Sequence, residues 1–214
     1  MRVGQGVVGF VTAVMMIGPL AAADLAVQVT DGDGRPVPDA VITLTPDGGA
    51  AGTPLPRRAE VDQRNETFIP YVQIVPRGGE VVFRNSDLTR HHVYSFSPVR
   101  AFEFVLAPGE QSDPVRFERT GVVALGCNIH DRMVAYLYVT DMPWAALTDT
   151  DGRAVLSGLP EASYTMHAWH PRARPGRPEP TQPVTVAAGA NRATVSLALL
   201  REPSRALDRD RVKY

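Results

Sequence analysis

The chain has 214 residues and balances 22 Lys and Arg against 23 Asp and Glu, a net charge of −1. That balance leaves no basic footprint for a nucleic acid or an anionic lipid surface. A single cysteine rules out an internal disulfide framework, and 18 glycines, 19 prolines and many short Val-rich runs point to strands and turns rather than long helices.

The first element is not structural. Met1 and Arg2 are followed by an uncharged apolar stretch, Gly6 to Leu20, and then by Ala21, Ala22 and Ala23 before Asp24. A charged start, greasy centre and small-residue exit is the pattern of a secretory signal peptide, with cleavage expected after Ala23. Export changes the meaning of a lone cysteine, because cysteines in oxidising compartments are normally paired. Cys127 is therefore expected to be an inert buried thiol, an intermolecular bridge or a metal ligand.

ADLAVQVTDGDGRPVPDAVITLTP, residues 23–46, reads as strand, turn and strand, with the Asp-Gly pairs supplying a hairpin. Further on, FIPYVQIVPRGGEVVFRN (68–85) reads as two strands joined by a glycine turn. FRNSDLTRHHVYSF (83–96) carries two adjacent histidines, His91 and His92, into another strand.

GVVALGCNIHDRMVAYLYVT, 121–140, is the most informative stretch. An apolar strand ends at Gly126, a β-branched and aromatic strand starts at Val134, and Cys127, His130 and Met133 lie between them. A thiolate, an imidazole and a thioether form a donor set that suits copper. On a helix, this spacing would spread them over about 9 Å of axis, so a tight loop must converge them on top of an antiparallel strand pair. A trigonal copper site with a weak axial methionine needs a second imidazole, and His91 or His92 can supply it. Strand alternation lets only one of these neighbours face the metal.

TDTDGRAVLSGLPEASYTMHAWHP, 148–171, repeats the earlier turn chemistry, with Asp149 to Arg153 echoing Asp31 to Arg35. Arg35 and Arg153 occupy positions where a calcium loop needs an oxygen ligand, so both are read as plain turns. His167 and His170 have no carboxylate or cysteine beside them and are assigned to packing, with the Pro/Arg-rich loop after His170 expected against the neighbouring domain. Residues 201–214 form a polar tail.

Asn85, His91 with Val93, Cys127, His130 and Met133 together resemble the ligand pattern of the cupredoxins, the blue copper proteins. The short His130-to-Met133 spacing is closest to the amicyanin-like branch. The resemblance covers 57–141 and implies a Greek-key β-sandwich, with His91 at the end of a strand and one mononuclear type 1 copper held by His91, Cys127, His130 and Met133. It implies single-electron transfer with a periplasmic redox protein, such as a cytochrome c or haem enzyme, and no enzyme activity of its own. A binuclear copper centre would need a second cysteine. Multicopper oxidases need several His-x-His pairs, which five histidines without such a pair do not provide.

Leu25 to Leu44 and Ala146 to Leu199 resemble the two halves of a carboxypeptidase-regulatory-like, transthyretin-type β-sandwich. Residues 24–56 are too few to bury a core alone. The expected fold is thus all-β, with the cupredoxin (57–141) inserted into a smaller sandwich built from 24–56 and 142–200. The whole layout resembles periplasmic proteins labelled methylamine utilization proteins, and a monomer is expected. A copper carrier is the alternative function, as is a carbohydrate- or protein-binding sandwich with a vestigial copper domain.

Overall fold

The computed structural model describes residues 23–48 and 55–201. The expected signal peptide, apart from Ala23, and the expected polar tail beyond Arg201 lie outside the described residues. The described chain is all-β, with sixteen strands in four sheets.

Two outer strands come first, β1 (Ala23–Asp31) and β2 (Val41–Pro46). Nine follow in one run: β3 (Arg58–Gln63), β4 (Phe68–Ile69), β5 (Val72–Pro76), β6 (Gly79–Asn85), β7 (His91–Ser95), β8 (Phe102–Leu106), β9 (Val115–Phe117), β10 (Gly121–Cys127) and β11 (Val134–Thr140). Five close the chain: β12 (Trp144–Leu147), β13 (Arg153–Leu159), β14 (Ala162–Trp169), β15 (Thr181–Val186) and β16 (Ala190–Leu197).

Strands β3 to β11 pair only among themselves, as the sheets β4-β3-β6-β9 and β5-β11-β10-β7-β8. Their inward residues, among them Val61, Phe83, Phe117, Leu125 and Leu137, form one buried core that includes Cys127 and Met133. The outer strands form β13-β1-β16 and β12-β2-β14-β15. These close on a second core of Leu25, Val27, Leu44, Trp144, Tyr164 and Met166. Alternating burial along β1 and β14 is the pattern of strands with one face on a core.

The hairpin expected from 23–46 does not form. Asp31 to Arg35 makes the anticipated tight turn, with Asp31 Oδ1 accepting from the amides of Asp33 and Arg35 at 2.9 Å each. Beyond it the chain crosses to the opposite sheet, where β2 pairs with β12 and β14 rather than with β1. Burial explains the crossing. Nearly every residue of β2 is inaccessible, so the strand needs cover on both faces and takes an interior place in its sheet. Ile42 and Leu44 face the outer core, while Val41 faces the nine-strand unit. The echoing turn at Asp149 uses the same carboxylate-to-amide bonds, to Asp151 and Arg153, and joins β12 to β13 across the sheets in the same way.

A third buried cluster, Val41, Val72 and Tyr138, binds the two units together, with Ile74, Tyr136, Leu147 and Trp169 packed around it. The Trp169 ring lies 5.3 Å from that of Tyr138, centroid to centroid. The Tyr138 hydroxyl donates to the Glu179 carboxylate at 2.9 Å. Burial, reinforced by the Glu179 charge, pushes the Tyr138 phenol well above its ordinary range. The Pro/Arg-rich loop after β14 therefore does rest on the nine-strand unit, through Glu179.

Candidate metal centre

The β10–β11 ladder runs in continuous antiparallel register from Gly121↔Val139 to Gly126↔Val134. The loop that joins its ends closes tightly, the Met133 amide donating to the His130 carbonyl at 3.0 Å. On the other side β10 pairs with β7, Cys127 opposite Val93 and Gly126 opposite Tyr94. That register sets the first residue of β7, His91, beside the thiol. The cupredoxin pattern implies a strand ending near His91, whereas here His91 opens one.

Three donor atoms converge. His91 Nδ1 is 3.7 Å from Cys127 Sγ, Cys127 Sγ is 3.8 Å from His130 Nδ1, and the two Nδ1 atoms are 3.2 Å apart. A point equidistant from the corners of that triangle lies about 2.1 Å from each, close to ordinary metal–nitrogen and metal–sulfur lengths of about 2.0–2.3 Å. Among the described residues this is the group of three His, Cys, Asp or Glu side chains able to share a metal ion. Met133 is buried in the same core as Cys127. A cysteine sulfur and two imidazole nitrogens so placed fit one copper ion.

The support beneath His91 was not anticipated. His91 is wholly buried, and its outer nitrogen, Nε2, lies 2.8 Å from Asp87 Oδ2. The same carboxylate accepts from the amides of Asn65 and Glu66, the latter at 2.9 Å. Burial raises the Asp87 carboxyl, but the Glu66 amide, the His91 ring and the Asn65 amide outweigh it and hold the group below its ordinary value. An ionised carboxylate only accepts hydrogen bonds, so Nε2 of His91 carries the proton and Nδ1 offers its lone pair to the centre.

Asn85 stages this arrangement. Fully buried, it donates from Nδ2 to the carbonyls of Thr89 and Leu106 at 2.8 and 3.0 Å and accepts the Asp87 amide at 2.9 Å. The loop between β6 and β7 is thereby pinned to β8, and Asp87 is aimed at His91. His130 is partly exposed, and its Nε2 lies 3.7 Å from Glu66 Oε1.

The other histidines do other things. The His92 ring points away from the centre and lies 3.6 Å from Glu103. His170 is buried, and its Nδ1 accepts the Arg172 amide at 3.0 Å. Burial first, then the Arg172 charge, brings its pKa down to about 4 against an opposing hydrogen bond to the Pro38 backbone. His167 sits in the β14 ladders, opposite Thr43 and Thr181. Neither His167 nor His170 belongs to the metal-competent group.

The chain matches no protein-family model and no curated protein. Solved structures do resemble part of it. A purple cupredoxin from Nitrosopumilus maritimus is 21% identical, with 38% of this chain and 99% of that one covered and a TM-score of 0.35. Amicyanin from Paracoccus versutus is 15% identical, with 46% and 98% covered and a TM-score of 0.36. A Cu-containing nitrite reductase from Thermus scotoductus SA-01 is 26% identical over 45% of this chain but only 25% of its own, with a TM-score of 0.36.

Proposed function

We propose that this is an exported type 1 copper protein that passes single electrons between redox partners. The observation that carries the reading is the triangle of His91 Nδ1, Cys127 Sγ and His130 Nδ1, with edges of 3.2 to 3.8 Å. Asp87 fixes the proton of His91 on the far side of its ring, so the face turned to the centre is basic. His130 Nδ1 faces that lone pair at 3.2 Å, close enough for the two nitrogens to share one ion.

In this reading Cys127, as the thiolate, His91 and His130 would hold the copper, with Met133 as a further, weaker thioether donor. The copper supplies a one-electron couple. The protein holds the donors still: Cys127 at the end of a ladder strand, His91 between its strand and Asp87, and Met133 within a packed core. A frame that does not rearrange between oxidation states lowers the cost of each transfer. No substrate is transformed, so the protein is not proposed to be an enzyme.

Electrons would pass through His130, the more accessible imidazole, which is flanked in sequence by Ile129, 48% exposed. A periplasmic cytochrome c or haem enzyme fits as partner, with the signal peptide cleaved after Ala23. We read β3 to β11 as a cupredoxin domain, 57–141, inserted into a carboxypeptidase-regulatory-like sandwich of 24–56 and 142–200. That layout resembles the proteins labelled methylamine utilization proteins.

The test is direct. The mature chain with added Cu(II) is expected to show the intense visible absorption of a copper–thiolate bond and to be reduced and reoxidised reversibly. A colourless protein, or colour surviving Cys127→Ser, sinks the reading. Ready surrender of the metal to a chelator without reversible redox cycling points instead to copper carriage.

A further inference from the structure

We propose that Glu66 is a positioning residue for His130, kept in a strained turn for that purpose. The inference rests on the proposed copper function for its redox arm only.

Strands β3 and β4 are joined by Arg64 to Thr67, whose end residues exchange backbone hydrogen bonds, Arg64 N to Thr67 O at 2.9 Å and Thr67 N to Arg64 O at 3.2 Å. Only two residues lie between, and both Asn65 and Glu66 have φ of 53°. A two-residue turn of this kind strongly favours Asn-Gly. Asn65 satisfies the first position, since asparagine tolerates the left-handed region. Glu66 does not satisfy the second, because its Cβ crowds the backbone there.

The turn's backbone duty does not require a glutamate. The amides of Asn65 and Glu66 donate to Asp87, and a glycine at 66 would donate equally well from a relaxed backbone. What glycine would lose is the carboxylate, whose Oε1 stands 3.7 Å from His130 Nε2. Strain held at one residue whose side chain faces a site is a recognised mark of function. The consequence is a symmetrical arrangement: each histidine of the centre turns its outer nitrogen to a carboxylate, and both carboxylates are fixed through this one turn.

At 3.7 Å the Glu66 contact is longer than a hydrogen bond and acts through charge. It favours the His130 tautomer with the proton on Nε2, which leaves Nδ1 open to the centre. The negative charge also favours the more highly charged, oxidised state of the centre.

The experiment compares the wild-type chain with Glu66→Gly and Glu66→Gln. The Glu66→Gly variant is expected to unfold at the same or a higher temperature when metal-free, because turn strain is relieved. In both variants, ring-nitrogen NMR of the metal-free protein is expected to show His130 shifting away from the Nε2–H tautomer. Copper-loaded variants should show a raised reduction potential. Raised stability with an unchanged His130 tautomer and an unchanged potential would overturn the proposal, since a simple turn filler predicts that pair of results. If the wild-type chain never shows a copper–thiolate band, the copper reading falls, and the His130 ring measurement still decides the role of Glu66.

Discussion

Gly126 and Tyr94 face one another across the β10–β7 ladder, and the Tyr94 ring occupies the space a Gly126 side chain would need. A Cβ built on Gly126 would lie 2.6 Å from Tyr94 Cζ. The glycine immediately before Cys127 is thus a seat for an aromatic ring. Gly126→Ala is expected to destabilise the fold by about 1–3 kcal/mol through overpacking. Adding Tyr94→Ala should return part of that loss, a coupling readable in the urea midpoints of the two single variants and the double.

Asp87 ties three donors to one carboxylate, so its removal should be felt in two ways. Asp87→Ala leaves the buried outer nitrogen of His91 without its acceptor and is expected to weaken copper binding about 10–100-fold. Competition against a chelator measures this. The metal-free protein should also lose about 1–3 kcal/mol, because the wholly buried His91 ring is left without its acceptor. Equal copper affinity in wild type and variant would remove Asp87 from the centre.

The two echoing turns offer an internal control. Gly34 and Gly152 occupy equivalent positions and have φ of 80° and 71°. Nothing lies within 4 Å of a Cβ on Gly34, whereas a Cβ on Gly152 would meet the Val29 carbonyl oxygen at 2.5 Å and the Val37 amide at 2.9 Å. Gly34→Ala should therefore cost only the left-handed backbone, about 1–2 kcal/mol. Gly152→Ala adds a clash that no side-chain movement can relieve, and roughly 2–4 kcal/mol is expected. Thermal unfolding of both variants checks the ranking.

His170 should make stability depend on pH. Its pKa in the fold is about 4, below the ordinary 6.5. Between those values the unfolded chain takes up a proton that the folded chain refuses. Stability thus falls as pH drops from about 6.5 toward 4, by up to about 3 kcal/mol, and this contribution is fully lost below. His170→Gln, which keeps polarity without titrating in this range, should flatten that part of the profile of unfolding temperature against pH.

Much of the candidate metal centre was legible because its chemistry is local. Cys127, His130 and Met133 share one loop, and the strands around that loop announce themselves by their residues. His91 was harder, since His92 competes with it. Its burial and the opposite course of His92 toward Glu103 agree with strand alternation. Asp87 and Glu66 were not legible. Asp87 meets the Glu66 amide across 21 residues of sequence, and neither carboxylate stands in a spacing that suggests metal chemistry. The clue available was Asn-Glu at a tight turn where Asn-Gly is usual. The crossing after Asp31 was hidden for another reason: turn chemistry specifies a reversal, while burial of β2 on both faces decides which sheet receives it.

The parallel ladder between β1 and β16, in register from Asp24↔Ala190 to Asp31↔Leu197, has a bearing on the order of assembly. As the chain emerges, its first strand has neither lateral neighbour, because β13 and β16 are both made much later. The nine strands that carry the metal centre have all their neighbours by Thr140. They can close while β1 and β2 still wait as loose ends. Long-range pairings of this kind form slowly. Among the described strands, the last to be made therefore latches the first in place.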